Sequence, residues 1–200
     1  MSLGASIERI APKGIVWDFD GVLCDSARLF RELIGEKLEA RGLQKVGARV
    51  RSDTTLTGLD TKDLVAHLLG EVRGFDVSEF ARELEEAYER VASGRLSIDT
   101  QAISIVRRAR RRGVDQCIVS NGRPGLIRVQ LAKSGVTEAF NCIVTPTQSL
   151  PPKPSPAMYQ VAVNALGLDL SDCIVIEDSE IGVIGAGAAG LRVVTVALFP

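Results

Sequence analysis

The run Gly14-Ile15-Val16-Trp17 is continuously apolar and ends at two acidic residues, Asp18 and Asp20, on either side of Phe19. A short, wholly apolar run of this kind is typical of a strand buried on both faces of a parallel sheet. Carboxylates beside a buried strand are costly unless other groups compensate their charge. The run therefore predicts a strand whose carboxyl end opens into a functional site.

Similar apolar runs alternate with helical patterns through the second half of the chain. Strands are predicted at residues 116–119, 142–144, 173–176 and 192–196. Helices are predicted at residues 99–112, 124–134, 155–166 and 181–189. A β-α-β alternation favours parallel strands joined by right-handed crossovers. We therefore predict an α/β fold, a Rossmann-like doubly wound parallel sheet.

The segment that follows the first strand has no good strand pattern. Apolar residues recur at helical spacing at 29–38, 64–69 and 80–91, and Ser26 is placed to cap the first helix. We predict a Rossmann-like core domain of residues 1–25 and 96–200, with residues 26–95 inserted as an all-helical cap. Because ligands of open α/β sheets bind beyond the carboxyl ends of the strands, an insertion at that point is placed as a lid.

Composition and charge restrict the classes of partner. The chain has 200 residues, 46% of them hydrophobic, with 24 basic and 25 acidic side chains and a formal net charge of -1. This balance argues against a protein built to coat nucleic acid or an anionic membrane, so we predict neither partner. The longest apolar tract, residues 181–199, contains four glycines and Arg192, and it favours a helix and strand over a membrane span.

The cysteines and the N-terminus predict a location in the cytoplasm. The four cysteines lie far apart without a C-x-x-C pair, which favours buried, reduced thiols over disulfides or a zinc site. The single histidine, His67, excludes a multi-histidine metal site. No basic-then-apolar signal pattern opens the chain, and we expect a cytoplasmic monomer.

Two further motifs are better explained by helix structure than by ligand binding. Residues 185–190, GAGAAG, match a dinucleotide motif, but they close a predicted helix and lead into a strand, which is the reverse of the required order. Residues 107–112, RRARRR, end a predicted helix just before Gly113, where cations complement the helix dipole.

Polar residues follow the predicted strands at positions where a purely structural continuation of a buried strand would be apolar. They are Asp18 and Asp20 after the first strand, then Ser120, Asn121 and Gly122, then Lys153 after a loop, then Glu177 and Asp178. The carboxyl ends of parallel strands share one edge, so these groups are expected to meet there. Two like charges 4 Å apart repel by about 4 kcal/mol at an effective dielectric of 20. Four carboxylates together therefore require protonation or a hard divalent cation, and an oxygen-only ligand set favours Mg²⁺.

These segments resemble the motifs of a known family. Residues 18–26, DFDGVLCDS, closely resemble the first motif of the haloacid dehalogenase-like phosphohydrolases, and residues 120–122, 153–156 and 176–182 resemble the other three in order. The helical insertion resembles the small cap of the β-phosphoglucomutase and phosphoglycolate phosphatase branch. The resemblance implies a Mg²⁺-dependent enzyme acting on a small phosphorylated metabolite.

The resemblance also implies a role for each residue. Asp18 would be the nucleophile that forms an aspartyl-phosphate, and Asp20 would be the general acid and base. The remaining roles fall to Ser120, Asn121, Gly122 and Lys153 as phosphoryl-binding residues, and to Asp18, the Asp20 backbone carbonyl, Glu177 and Asp178 as magnesium ligands. Gly58 lies in the cap loop 57–62, TGLDTK, which resembles the substrate-specificity loop of the mutases.

Departures from the mutase pattern favour a phosphatase. Phe30 stands where β-phosphoglucomutases carry a hinge histidine, and Thr61 stands where their specificity loop carries an arginine. Asp20 favours phosphate esters over halides, because a halide leaving group needs no proton. We therefore expect a phosphatase acting on a sugar phosphate or on a phosphoglycolate-type ester. The alternatives are a β-phosphoglucomutase-like phosphomutase and a phospho-acceptor signalling domain.

Overall fold

A computed structural model describes residues 3–52, 65–67, 69, 76–96 and 98–196. The chain divides into two compact units. One unit consists of Met1–Asp25 and Ser97–Pro200, and the other consists of Ser26–Leu96. The first is called the sheet unit below and the second the helical unit.

The sheet unit contains a parallel sheet of five strands in the order β3-β2-β1-β4-β5. The strands are β1 (Gly14–Trp17), β2 (Asp115–Val119), β3 (Cys142–Val144), β4 (Cys173–Glu177) and β5 (Arg192–Thr195). Each predicted strand is present with bounds within one residue of the prediction. The α/β fold with a Rossmann-like parallel sheet is confirmed.

The helices, in chain order, are α1 (Leu3–Ile10), α2 (Ser26–Ala40), α3 (Gln44–Ser52), α4 (Val77–Arg95), α5 (Thr100–Arg111), α6 (Pro124–Lys133), α7 (Ala157–Leu166) and α8 (Glu180–Ala188). Residues 65–67 and 69 are helical as well. Helix α1 was not predicted, and it buries Leu3 and Ile7. Ser26, which was predicted to cap helix α2, is instead its first helical residue.

The core of the sheet unit surrounds the central strands. All four residues of β1 are buried, and Val16 belongs to a cluster with Val175 of β4 and with Met158 and Tyr159 of α7. Burying this apolar surface contributes roughly 25 cal/mol per Å² to stability. The cluster fixes β1 and β4 side by side, and so it fixes the residues at their carboxyl ends.

A buried hydrogen-bond network in the sheet unit joins Trp17 and Gln116. The Trp17 indole donates to the Gln116 side-chain oxygen at 3.0 Å, and the Gln116 amide donates to the Val106 and Ala139 carbonyls at 3.1 and 3.2 Å. Because a buried amide without partners is costly, this network accounts for a glutamine at a fully buried position.

The prediction that all cysteines are free thiols is wrong for one pair. Cys117 and Cys142 are partners in the register of β2 and β3, with their Cα atoms 4.9 Å apart, and they form a disulfide. The pairing depends on strand register, which their sequence spacing does not reveal. Cys24 and Cys173 are buried thiols outside this disulfide, as predicted. Because disulfides are rare in the cytoplasm, this pair does not support the predicted cytoplasmic location.

Ion pairs and one stacked aromatic pair join the helices of the helical unit. Arg95 of α4 pairs with Glu32 and Glu36 of α2, at 2.7 and 3.2 Å. The ring of Phe30 stacks on Tyr88 with ring centroids 4.2 Å apart. Because surface ion pairs are each worth at most about 1 kcal/mol, we attribute most of this unit's stability to the buried faces of its helices.

Both helix-end interpretations of the rejected motifs are confirmed. Residues 185–190 close α8 and lead into β5. The arginine-rich run ends α5, where Arg108 and Arg112 pair with Glu8 at 3.3 and 3.1 Å. Within the described ranges, no helix has the length and apolar character needed to cross a bilayer.

Candidate active site

The site lies at the carboxyl ends of β1, β2 and β4, and the hydrogen bonding of the sheet continues into it. The backbone N–H of Asp18 donates to the Ile176 carbonyl at 2.9 Å, and that of Ser120 donates to the Val144 carbonyl at 3.2 Å. Because these hydrogen bonds hold the two backbones, the Cα positions of Asp18 and Ser120 are fixed by the sheet.

Lys153 occupies the centre of the site. Its Nζ donates to Asp18 Oδ1 at 2.5 Å and to Glu177 Oε1 at 2.6 Å, and its side chain is 3% exposed. The Lys153 backbone N–H donates to the Asn121 side-chain oxygen at 2.9 Å. Burial disfavours the ammonium, but the attraction of the two carboxylates outweighs it and raises the pKa of Lys153. The lysine therefore stays protonated.

Glu177 is fully buried and surrounded by donors. Its Oε1 accepts from the Tyr159 hydroxyl at 2.6 Å as well as from Lys153, and its Oε2 accepts from Ser179 Oγ at 3.1 Å. A Cβ on Gly182 would lie 2.1 Å from Glu177 Cδ, so only glycine fits at that position. Both carboxylate oxygens are therefore held by the protein itself.

Tyr159, Ser179 and Gly182 were not predicted as site residues. Ser179 caps helix α8 by accepting from the Gly182 N–H at 3.2 Å, in addition to contacting Glu177. Tyr159 lies in helix α7, shortly after Lys153, and a buried tyrosine hydroxyl needs a hydrogen-bond partner. These two facts could have marked it as a neighbour of the site. The identity of that partner depends on the tertiary fold.

Asp20 and Ser120 form a second, adjoining pair. The Ser120 hydroxyl donates to Asp20 Oδ2 at 3.0 Å and accepts from the Gly122 N–H at 2.8 Å. Asp20 is half-buried, whereas Ser120 is fully buried. The pair thus leaves one aspartate partly open to solvent, with a buried hydroxyl fixing its orientation.

Burial and neighbouring acidic charges raise the pKa of two carboxyl groups, those of Asp18 and Asp178. Burial raises the pKa of Asp18 well above its ordinary value, and the charges of Glu177 and Asp20 add to this, while Lys153 opposes it. Partial desolvation and the charge of Glu177 raise the pKa of Asp178 to about 6. The site therefore holds more negative charge than Lys153 alone compensates.

The donor set fits a magnesium ion. Asp18, Glu177 and Asp178 each offer a carboxylate oxygen, and these oxygens lie within 4.8 Å of one another. Gly21 has φ +83°, and a Cβ there would lie 1.8 Å from Asp178 Oδ2, so this glycine makes room for the carboxylate. Oxygen ligands of this kind are those that Mg²⁺ prefers. The Asp20 backbone carbonyl, implied as a further ligand by the family resemblance, stays a prediction.

Most of the predicted site residues form one connected network in the structure. Its members are Asp18, Asp20, Ser120, Asn121, Gly122, Lys153, Glu177 and Asp178. Gly58 and its loop lie outside the described residues. The network joins groups that are more than a hundred positions apart in the sequence, as the predicted sheet edge requires.

Comparison with known proteins identifies the family. The family model for haloacid dehalogenase-like hydrolases matches residues 12–190. The chain therefore belongs to the haloacid dehalogenase-like hydrolases.

Individual relatives share most of the chain. Protein CbbY from Rhodobacter capsulatus is 26% identical over 190 residues, covering 91% of this chain and 84% of that protein. Hexitol phosphatase A from Escherichia coli is 26% identical over 186 residues, covering 92% and 82%. A HAD family hydrolase from Deinococcus radiodurans, solved with bound phosphate and sodium, superposes with a TM-score of 0.70 at 25% identity, covering 92% of this chain and 80% of that chain.

Proposed function

We propose that this hydrolase is a Mg²⁺-dependent phosphatase of a small phosphorylated metabolite. The observation that carries the proposal is the buried Lys153, which joins Asp18 and Glu177 beside the Asp20–Ser120 pair. The phosphatase name of one relative and the phosphate bound in the Deinococcus radiodurans hydrolase support it.

The first half of the proposed reaction transfers the phosphoryl group to the protein. The Asp18 carboxylate attacks phosphorus, an aspartyl-phosphate bond forms, and the bond from phosphorus to the ester oxygen breaks. Asp20, in its protonated form, gives its proton to the leaving oxygen. The hydrogen bond from Ser120 orients the Asp20 carboxyl group during this step.

The second half returns the protein to its starting state. Asp20, now a carboxylate, takes a proton from a water molecule as that water attacks the phosphorus of the aspartyl-phosphate. The bond from phosphorus to Asp18 breaks and inorganic phosphate leaves. Ser120, Asn121 and Gly122 bind the phosphoryl oxygens, and Lys153 balances the charge on the nucleophile and the phosphoryl group.

The proposed metal site uses the acidic side of the network. Asp18, Asp178 and the Asp20 carbonyl would hold Mg²⁺, with Glu177 as a direct or water-mediated ligand. When bound, the ion supplies positive charge that stabilises the phosphoryl oxygens. The raised pKa values of Asp18 and Asp178 support this assignment, because a bound cation would stabilise both carboxylates in their charged form.

For the substrate, we propose a sugar phosphate or a phosphoglycolate-type ester, with residues 26–95 acting as the cap domain. A cap that excludes water strengthens every electrostatic interaction at the reacting phosphate. Gly58 and its loop are proposed to contact the part of the substrate that does not react.

The test is phosphate release from p-nitrophenyl phosphate with and without EDTA, followed by a panel of phosphorylated metabolites. We expect release that requires Mg²⁺ and is lost in Asp18→Asn. Release that is unaffected by EDTA, or full activity in a folded Asp18→Asn protein, would contradict the proposal. Isomerised sugar phosphate without net phosphate release would identify a phosphomutase instead.

A further inference from the structure

Helix α7 places a tyrosine hydroxyl behind the carboxylates of the site. Tyr159 is fully buried in the core cluster of the sheet unit, where its ring is packed together with Val175 of β4. Its hydroxyl donates to Glu177 Oε1 at 2.6 Å. The helix that packs on the sheet therefore also reaches the site, through a single polar atom.

The acceptor of this hydrogen bond is shared with the central lysine. Glu177 Oε1 accepts from Tyr159 and from Lys153 Nζ, both at 2.6 Å, and the Lys153 ammonium lies 5.7 Å from the centre of the tyrosine ring. The same Nζ donates to Asp18. A continuous chain of contacts thus runs from the core, through Glu177 and Lys153, to the candidate nucleophile.

The surroundings of Glu177 make this hydroxyl more than a packing contact. The carboxylate is 0% exposed, so water cannot replace a missing donor. Gly182 lies directly against Glu177 Cδ, while Ser179 holds the other oxygen. Ser179, which donates to Oε2, belongs to the turn between β4 and α8. Tyr159 donates to Oε1 from a separate element, helix α7.

We infer that Tyr159 is a positioning residue, whose hydroxyl fixes the Glu177 carboxylate so that Glu177 holds Lys153 against Asp18. It acts through Glu177 and does not touch the reacting atoms. The kinetic part of this inference rests on the proposed phosphatase function, while the geometric part does not.

The kinetic test is a double-mutant cycle with Tyr159→Phe and Glu177→Gln. Phenylalanine keeps the buried ring and removes only the hydroxyl. We expect Tyr159→Phe to lower kcat about tenfold, the loss typical of a hydrogen bond to a charged group, with KM unchanged. In the Glu177→Gln background the same substitution should change kcat by less than about twofold, because a neutral amide at position 177 no longer pairs with the Lys153 ammonium and fixing its oxygen has no further effect.

The control is Tyr88→Phe, which makes the same chemical change at the other tyrosine of the chain, in the helical unit. It should leave kcat within about twofold of the wild type. Thermal unfolding of each variant ensures that only folded protein is compared. Multiplicative effects of Tyr159→Phe and Glu177→Gln on kcat, or an unchanged kcat in Tyr159→Phe, would overturn the inference.

A second readout does not depend on catalysis. In protein labelled with ¹⁵N-lysine, the buried Lys153 ammonium should give an NMR signal protected from exchange with water, and Tyr159→Phe should increase its exchange at least about tenfold. An unchanged exchange rate overturns the inference even if the enzyme is inactive on every phosphate ester. An inactive wild-type protein with the expected exchange result would instead reject only the phosphatase proposal.

Discussion

At the scale of single residues, the site resolves a conflict between burial and charge. Asp18 and Glu177 are nearly or wholly inaccessible, and an isolated buried carboxylate would cost several kcal/mol. Lys153 compensates both through hydrogen bonds from one ammonium group. One cation cannot balance all the nearby acids, and this is why the raised pKa values of Asp18 and Asp178 support a metal ion as the second compensating charge.

The first prediction concerns Gly21, which packs against Asp178. In Gly21→Ala the new Cβ would lie 1.8 Å from Asp178 Oδ2, so the carboxylate must move. We expect Mg²⁺ affinity, measured by isothermal titration calorimetry, to fall at least about tenfold.

The matched control for Gly21→Ala is Gly42→Ala. Gly42 has a similar φ of +79° but no atom within 4 Å of the added Cβ. Both variants carry the backbone strain of a left-handed alanine, about 1–2 kcal/mol. Only Gly21→Ala should lose metal affinity, and equal affinities in the two variants would show that Asp178 does not hold the ion.

The second prediction concerns the pH dependence of metal binding. The pKa of Asp178 is raised to about 6, so the proton and the metal compete for this carboxylate in a range where an ordinary aspartate is fully ionised. Mg²⁺ affinity should rise with pH as Asp178 loses its proton, with a change of slope near pH 6. Below that value, each pH unit should weaken binding by up to about tenfold.

The control for the pH profile is Asp178→Asn, which has no titrating group at this position. Its weaker Mg²⁺ binding should lose the dependence on pH near 6 that is assigned to Asp178. A wild-type affinity that is constant from pH 5 to pH 7 would show that this group does not titrate in competition with the ion.

At the scale of elements, the register of strands β2 and β3 explains a disulfide that the spacing of the cysteines did not predict. Cys117 on β2 and Cys142 on β3 are 25 positions apart, and the parallel register brings them together as bonded partners. Such a bond closes a loop of the unfolded chain and contributes about 3 kcal/mol of stability in the chain-entropy description.

The third prediction is a thiol count. In denaturant without reductant, a thiol reagent should detect the two free cysteines, and after reduction all four. In Cys142→Ser, the count before reduction should rise to include Cys117. Four thiols in the unreduced wild-type protein would contradict the bond and would restore the original expectation of reduced cysteines.

The sequence predicted the sheet well because its strands have clear ends. Four of the five are short apolar runs followed by a polar group, and the bounds of all five in the structure differ from the predicted ones by at most one residue. Helix α1 was missed because its apolar signal is short, with Leu3 and Ile7 as its buried large side chains. The contact of Tyr159 with Glu177 was missed because helix packing, rather than any local pattern, creates it.

At the scale of the whole molecule, the fold gathers chemistry from distant parts of the chain. Parallel strands carry Asp18, Ser120 and Glu177 to one edge of the sheet, and the loop after β3 adds Lys153. The family match over residues 12–190 covers all of these positions. The helical unit, residues 26–96, contains loop 57–62, to which we assign the proposed substrate contacts.

The central claim is that the side chain of residue 18 carries the phosphoryl group during turnover. The most direct measurement is to quench the reaction on a phosphorylated substrate with borohydride, which reduces an aspartyl-phosphate to homoserine, and to locate the product by tandem mass spectrometry. We expect homoserine at position 18 when Mg²⁺ is present, and none after EDTA treatment or in Asp18→Asn. Phosphate release with position 18 unmodified, or modification at a different aspartate, would contradict the claim.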